Sequence, residues 1–300
     1  MKTEDYPALF RNADFAAAKC QKTYFFLLWA QYVLLLLASL AGLVPSGWDP
    51  RITPALYLVS VCLAALGMLY STLAAPEKDW YGARAMAESI RTLTWRFMML
   101  SEPFGREKPE QARRAFLTYL SDLTLANPDS KRALSIGMLD TRQMNQITAE
   151  MERVRSAAFT DRWQLYLGER IQDQRLWYQS KAAFNYRRAR LMARLCICAY
   201  GAGILIACWQ LQAAGWNLQS LSDPFLVIAS GLLGWIQARR YNELAASYNL
   251  AAHEIARIED NMRDIGDDAA LAVFVADSES AFSREHTQWT ARQNSPSGGA

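Results

Sequence analysis

Two pairs of long apolar runs constrain this chain more than any other feature: Tyr24 to Val44 with Ala55 to Ala75, and Ala193 to Ala214 with Leu218 to Ala238. A hydrocarbon slab of about 30 Å takes roughly 20 apolar residues in a helix. The first three runs reach that length, and Arg194 at the mouth of the third is their only charge. The fourth is weaker. Asp223 and Pro224 stand near its start and Arg239 and Arg240 close it, leaving an apolar core of about 15 residues, below the usual spanning length; it is still predicted to span. The expected fold class is an all-α membrane protein of two transmembrane helical hairpins (four spans) with long cytoplasmic amphipathic helices.

Charge asymmetry orients both hairpins. Arg11, Lys19 and Lys22 precede the first span and Lys78, Arg84, Arg91 and Arg96 follow the second, while the turn from Pro45 to Pro54 holds only Arg51. Arg187, Arg188, Arg190 and Arg194 introduce the second hairpin, Arg239 and Arg240 leave it, and its turn from Gly215 to Ser222 has no Lys or Arg. Basic residues stay on the cytoplasmic side, so both termini and the central region are expected in the cytosol. The first apolar run starts after about 23 mixed-charge residues and is too long for a signal-peptide core, so the first helix is expected to remain. For a cell with two membranes, the expected location is the inner one.

The polar segments read as helices. Trp80, Ala83, Ala87, Ile90 and Thr94 recur at three- and four-residue steps, with Arg84, Glu88 and Arg91 on another face; Pro103 and Gly105 end this stretch. A shorter helix is expected around Gln111 to Leu125, stopped by Asn127 and Pro128. From Thr141 to Leu191 there is no proline and one glycine, Gly168, so one long helix or two stacked ones should lead into the third span. Within it Arg170 can meet Asp173 or Gln174 one turn on, and Trp177 can meet Lys181. Leu244, Tyr248, Ala251, Ile255 and Ile258 give the helix after the fourth span one apolar face. Gly266, Asp267 and Asp268 separate it from a last amphipathic helix, and the tail from Asn294 is expected to be disordered.

Several function classes are disfavoured by composition. A net charge of +3 gives no reason to expect nucleic-acid binding. The five cysteines, Cys20, Cys62, Cys196, Cys198 and Cys208, form no CxxC pair and lie far in sequence from His253 and His286, so they read as reduced, buried small residues. No nucleophile with a base, no HExxH and no phosphate loop is present; Glu279, Glu285, His286 and Trp289 are expected to be structural or interhelical. No cofactor and no catalytic activity are expected. The span interiors hold Gln31, Ser39, Ser60, Ser71 and Ser230 as polar side chains, which argues against a coupled transporter. Ser60 with Ala64, Gly67 with Ser71, and Ser230 with Gly234 suit close helix packing, within one hairpin or between copies. Gly201 in the GAG of the third span reads the same way. Four helices cannot enclose a wide aqueous path, so a pore would need several copies.

The motif YLxxRIxDQxxWYxxKAxxN at Tyr166 to Asn185, which includes Arg170, Asp173, Gln174, Trp177, Tyr178 and Lys181, resembles the SLATT superfamily, the SMODS- and SLOG-associating two-transmembrane effector domains. FVADSESAFSREHTQW, from Phe274 to Trp289, resembles the same family. DWYxxRAxAExIxxxxWRFM at Asp79 to Met98, with Arg84, Glu88 and Trp95, looks like a second, divergent unit. The resemblance implies a tandem, with one unit over residues 1–128 and another over 129–293. It also implies a membrane effector in prokaryotic conflict or anti-phage systems that forms or disrupts a pore when triggered. A nucleotide second-messenger synthetase or a SLOG-type sensor would be its partner system, beside the lipid bilayer and other copies of the chain. A non-conducting scaffold that recruits a soluble partner through its cytoplasmic helices is the alternative.

Overall fold

A computed structural model describes residues 1–43, 49–105, 108–126, 145–212, 221–262 and 265–294, with side chains described as far as Phe282. The described residues are helical, with no strand among them. The helices are α1 (Ala8–Ala41), α2 (Ile52–Ala74), α3 (Pro76–Met98), α4 (Pro109–Ala126), α5 (Ala149–Ser156), α6 (Phe159–Tyr166), α7 (Asp173–Gln212), α8 (Asp223–Arg239), α9 (Tyr241–Asn261) and α10 (Asp268–Asn294). A π-helical stretch, Leu167–Gln172, joins α6 to α7.

Local chemistry sets several of these boundaries. Proline at the first helical position loses no hydrogen bond, and Pro76 and Pro109 begin α3 and α4. Thr148 caps α5 by accepting from the Met151 amide at 3.2 Å. The two hairpins end alike: Ala75 after α2 and Arg240 after α8 are left-handed, with φ of 45° and 48°. Each amide still bonds back four residues, to Ser71 and Ile236. A non-glycine residue in that region costs roughly 1 kcal/mol, and one stands directly after each of α2 and α8.

The chain forms two compact units. One comprises residues 1–22, 76–177 and 251–300; the other comprises 23–75 and 178–250. Each therefore draws on both sequence halves. In the first unit α10 packs along α3, which also packs against α4 and α5. Its core holds Phe10, Ile90, Trp95, Met151, Tyr166 and Ile255, all under 2% exposed. Phe97, Phe104 and Phe116 form an aromatic cluster with ring centroids 4.9–5.8 Å apart. Arg155 ties the end of α3 down by donating to the carbonyls of Phe97, Phe104 and Gly105.

The second unit is apolar and thinly buried. Cys196, Ala199 and Ala229 pack α7 on α8, with Leu232 beside them. On α8, Gly231 and Gly234 receive the ring of Tyr32 from α1; a Cβ at Gly234 would overlap the Tyr32 hydroxyl. Packing within the chain uses neighbours of two of the expected small residues. An added Cβ at Gly201 meets nothing within 4 Å, whereas at Gly203 it touches Phe225 at 3.4 Å. Ser230 is exposed, and Gly231 takes its place beside Gly234. Ser60 and Ala64 are buried, and Gly67 approaches Gln31, so these small residues are used in packing within the chain.

Three helical stretches, Ala8–Ala41, Ile52–Met98 and Phe159–Gln212, are long and apolar enough to cross a membrane. Helix α8 has 17 residues, about 25 Å of rise, and is not among them. Residues 44–48 and 213–220, where the two hairpin turns were expected, and the tail 295–300 lie outside the described residues, as do Asn127 to Met144. The long helix expected into the third span is interrupted at Ala157, whose extended backbone ends α5. It continues unbroken from Phe159 to Gln212. Cys20 and Cys196 are buried as expected, but Cys62, Cys198 and Cys208 are exposed on the apolar helices, because their sides of α2 and α7 have no protein neighbour.

Candidate functional site

The polar unit is organised around one buried ion pair. Tyr166 and Arg170 stand four residues apart, so a helical backbone puts both on one face, and that face meets α10. Arg170 donates from Nε to Glu279 Oε1 at 2.8 Å and from Nη2 to Oε2 at 2.7 Å. The Tyr166 hydroxyl donates to the same Oε1 at 3.0 Å. Arg170 is 4% exposed and Glu279 0%. The guanidinium also lies 4.8 Å from the Phe282 ring. Arg170 is thus committed to Glu279, not to Asp173 or Gln174 as the one-turn spacing suggested. Asp173 is exposed and Gln174 is half-buried.

Aromatic rings continue this centre. Trp95 of α3, fully buried, meets Tyr166 edge to face at 5.6 Å. Its indole donates to the Tyr6 hydroxyl at 3.2 Å. Tyr6 stacks near Phe10 at 4.5 Å, and Arg91 reaches over Phe10 at 5.2 Å. Arg91 is itself paired to Glu88 at 3.1 Å, Glu88 to Arg84 at 2.8 Å, and Arg84 to Asp14 at 3.4 Å. Around the rim, Arg162 pairs with Asp268, Gln172 donates to Glu259 at 3.0 Å, and Arg175 forms an ion pair with Glu259 at 3.1 Å. Arg96 of α3 donates to Ala276 O and Ser280 Oγ of α10, and Ser101 Oγ to Ala272 O at 2.6 Å.

The described motif residues divide into those that meet in one core and those with other surroundings. Trp95, Tyr166, Arg170 and Glu279 meet in one core, and Arg84 and Glu88 form the chain of ion pairs beside it. Trp177 and Tyr178 are half-buried, with Tyr178 5.6 Å from Tyr248, and Lys181 is exposed. Glu285, His286 and Trp289 lie on α10, where their side chains are outside the described residues. Sequence reading passed over Tyr6, Phe10 and Arg155. The steps Ala13, Ala16, Ala17 and Cys20, all buried, are the signal that would have extended the first helix back to Ala8.

Electrostatics fits a structural latch. Burial pushes the Tyr166 phenol well above its ordinary range, and the neighbouring Glu279 charge adds to the rise. Burial works against the charge of Arg170, but Glu279 and its hydrogen bonds prevail and hold the guanidinium protonated. Burial likewise raises Tyr6, against the opposing charge of Arg91. Among the described residues, no three His, Cys, Asp or Glu side chains gather as metal ligands.

The chain matches SMODS and SLOG-associating 2TM effector domain 3 over residues 7–163 and SMODS and SLOG-associating 2TM effector domain 1 over residues 166–289. The chain is a tandem SLATT protein. The two domains abut within α6, so Trp95 belongs to the first while Tyr166, Arg170 and Glu279 belong to the second, and the buried centre joins the SLATT units through their own motifs. SLATT membership and the apolar helices make it a membrane-associated effector of conflict systems. No curated protein and no solved structure matches the chain.

Alkaline pH tests the centre. An unfolded tyrosine ionises near pH 10, whereas the folded Tyr166 holds its proton to higher pH. Above pH 10 the unfolded chain has therefore lost a proton that the folded chain retains, and stability falls as pH rises. Thermal midpoints of the full chain between pH 8 and 11 should decline, and Tyr166→Phe should shallow that decline. Equal slopes for the two proteins would remove Tyr166 from the account.

Proposed function

We propose that this tandem SLATT protein is a triggered pore-former of the inner membrane, held inactive by its polar unit, with both termini cytoplasmic and α8 acting as a fourth span. The observation that carries the reading is the bareness of its apolar helices. Of the three candidate spans, only 17%, 11% and 0% of the apolar window is buried. Leu66, Met68 and Leu73 on α2, and Ile197, Leu205 and Leu211 on α7, are each 60–84% exposed. Lipid covers such faces in a resting protein, and further copies cover them in an oligomer large enough to enclose water.

Helix α7 supplies Asp173 to Trp177 to the polar unit and Tyr178 to Gln212 to the apolar one, so a signal that loosens Arg170 from Glu279 acts on the segment that carries the third span. A partner protein or a nucleotide produced by a second-messenger synthetase is the trigger class implied by the family. The reading needs no catalytic group and no cofactor.

Flux decides the matter. The full chain and its Arg170→Lys/Glu279→Gln variant would be expressed in bacteria carrying a membrane-potential dye, and reconstituted into dye-loaded liposomes. The variant should depolarise cells and leak dye while the wild type stays tight. Intact potential and tight liposomes for both, with a soluble protein recruited to the membrane by the wild type, would replace the pore with a scaffold.

A further inference from the structure

Helix α7 enters its apolar run through RRARLMAR, residues 187–194, four arginines without one acid. Arg187, Arg188, Arg190 and Arg194 are all exposed. The side of α7 turned to α8 is marked by Asn185, Ala189, Cys196 and Ala199, which are buried. At 100° per residue, Arg187, Arg190 and Arg194 fall on the opposite side of the helix. Leu191, Leu205 and Trp209 continue that outer stripe, each 44–72% exposed. One face thus passes from cation to hydrocarbon along the axis. From Arg194 to Leu205 the rise is about 16 Å, close to half of a roughly 30 Å hydrocarbon core.

Within the apolar unit little opposes the charge on this face. The apolar unit carries eight Lys or Arg against Asp49, Asp223 and Glu243. Asp49 and Asp223 flank the turns, at the far end of the hairpins, and Glu243 is held by Arg240. Among the described residues, Arg187, Arg190 and Arg194 have no carboxylate partner; Arg190 lies 5.0 Å over the Tyr186 ring. Arg239 of α8 sits against the Phe25 and Trp235 rings. Arginine binds phosphate oxygens through a planar fork, and the apolar stripe below suits an acyl chain; a soluble anion would have no use for it.

We propose that the outer face of α7 is a binding site for an anionic phospholipid, its phosphate on Arg187, Arg190 and Arg194 and its acyl chain along Leu191 and Leu205. This rests on α7 crossing the bilayer but not on pore formation. Each arginine near an anionic surface contributes on the order of 1 kcal/mol, so removing three should weaken retention tenfold or more.

The full chain would be placed in nanodiscs of neutral phosphatidylcholine with and without phosphatidylglycerol, and the lipids that stay bound after transfer to detergent would be counted by native mass spectrometry. The wild type should keep phosphatidylglycerol over phosphatidylcholine, and the preference should fall with added salt. Arg187→Gln/Arg190→Gln/Arg194→Gln should lose it, while Lys108→Gln/Arg114→Gln/Arg257→Gln, with the same net charge, should keep it. Millimolar glycerol phosphate should not displace the lipid. No preference in the wild type, equal retention by the two triple variants, or full displacement by glycerol phosphate would each overturn the assignment. Insertion of the first triple variant into the discs, followed separately, shows that the span itself is intact.

Discussion

Glu279→Ala should destabilise the polar unit by about 3–5 kcal/mol, because it leaves the Arg170 guanidinium buried with no counter-charge. The carboxylate is fully buried and accepts three hydrogen bonds, two from Arg170 and one from Tyr166. Its loss leaves all three donors without that partner, where water has little access to replace it. For a unit of this size the thermal midpoint should fall by roughly 10 °C. The double replacement Arg170→Met/Glu279→Leu separates the pair from the space it fills. Apolar residues of similar volume in place of a buried ion pair are often neutral in stability, so the double variant should recover most of the loss. A double variant as unstable as Glu279→Ala would mean that packing, and not the unpaired charge, sets the cost.

Trp95→Ala is the second large effect, again about 3–5 kcal/mol, the usual cost of removing a buried aromatic side chain and leaving a cavity. Trp95 is 0% exposed, it presents its edge to Tyr166, and its indole holds Tyr6. The N-terminal residues are pinned nearby by Thr148, which donates to Asp5 O at 2.7 Å, and by the Leu9 amide on Gln146. The variant should therefore expose residues 1–22 to protease as well as lowering the midpoint. Trp95→Phe keeps most of the volume and loses the hydrogen bond to Tyr6, worth about 1 kcal/mol, so it should be much milder. Protease resistance of the N terminus in Trp95→Ala would show that the segment is held independently of this ring.

How much of this was legible depended on the range over which each signal acts. The apolar run at Ala55 matches α2 to within three residues at each end, and the run at Tyr24 forms the second half of α1, since length and hydropathy are properties of consecutive residues. The pattern Ala83, Ala87, Ile90 and Thr94 proved to be a buried face of α3 for a similar reason. The start of α1 at Ala8 was missed, because residues 8–23 are neither strongly apolar nor capped. Ala16 and Ala17 earn their burial only against Ala83 of α3. Arg155 gave no signal, since its acceptors are backbone carbonyls of Phe97, Phe104 and Gly105, whose direction follows from how the chain turns after α3.

The site shows the same division. Arg170 and Glu279 were both visible as motif residues, but their pairing spans 109 positions. The i to i+4 rule therefore sent Arg170 to the wrong partners. From the sequence alone came the apolar hairpins, their expected orientation and the SLATT motifs, because each rests on local composition and charge. Tertiary structure alone decided that α10 lies along α3 and that the motif residues Trp95, Tyr166, Arg170 and Glu279 share one dry core. Only there does desolvation leave a buried guanidinium with no alternative to the carboxylate.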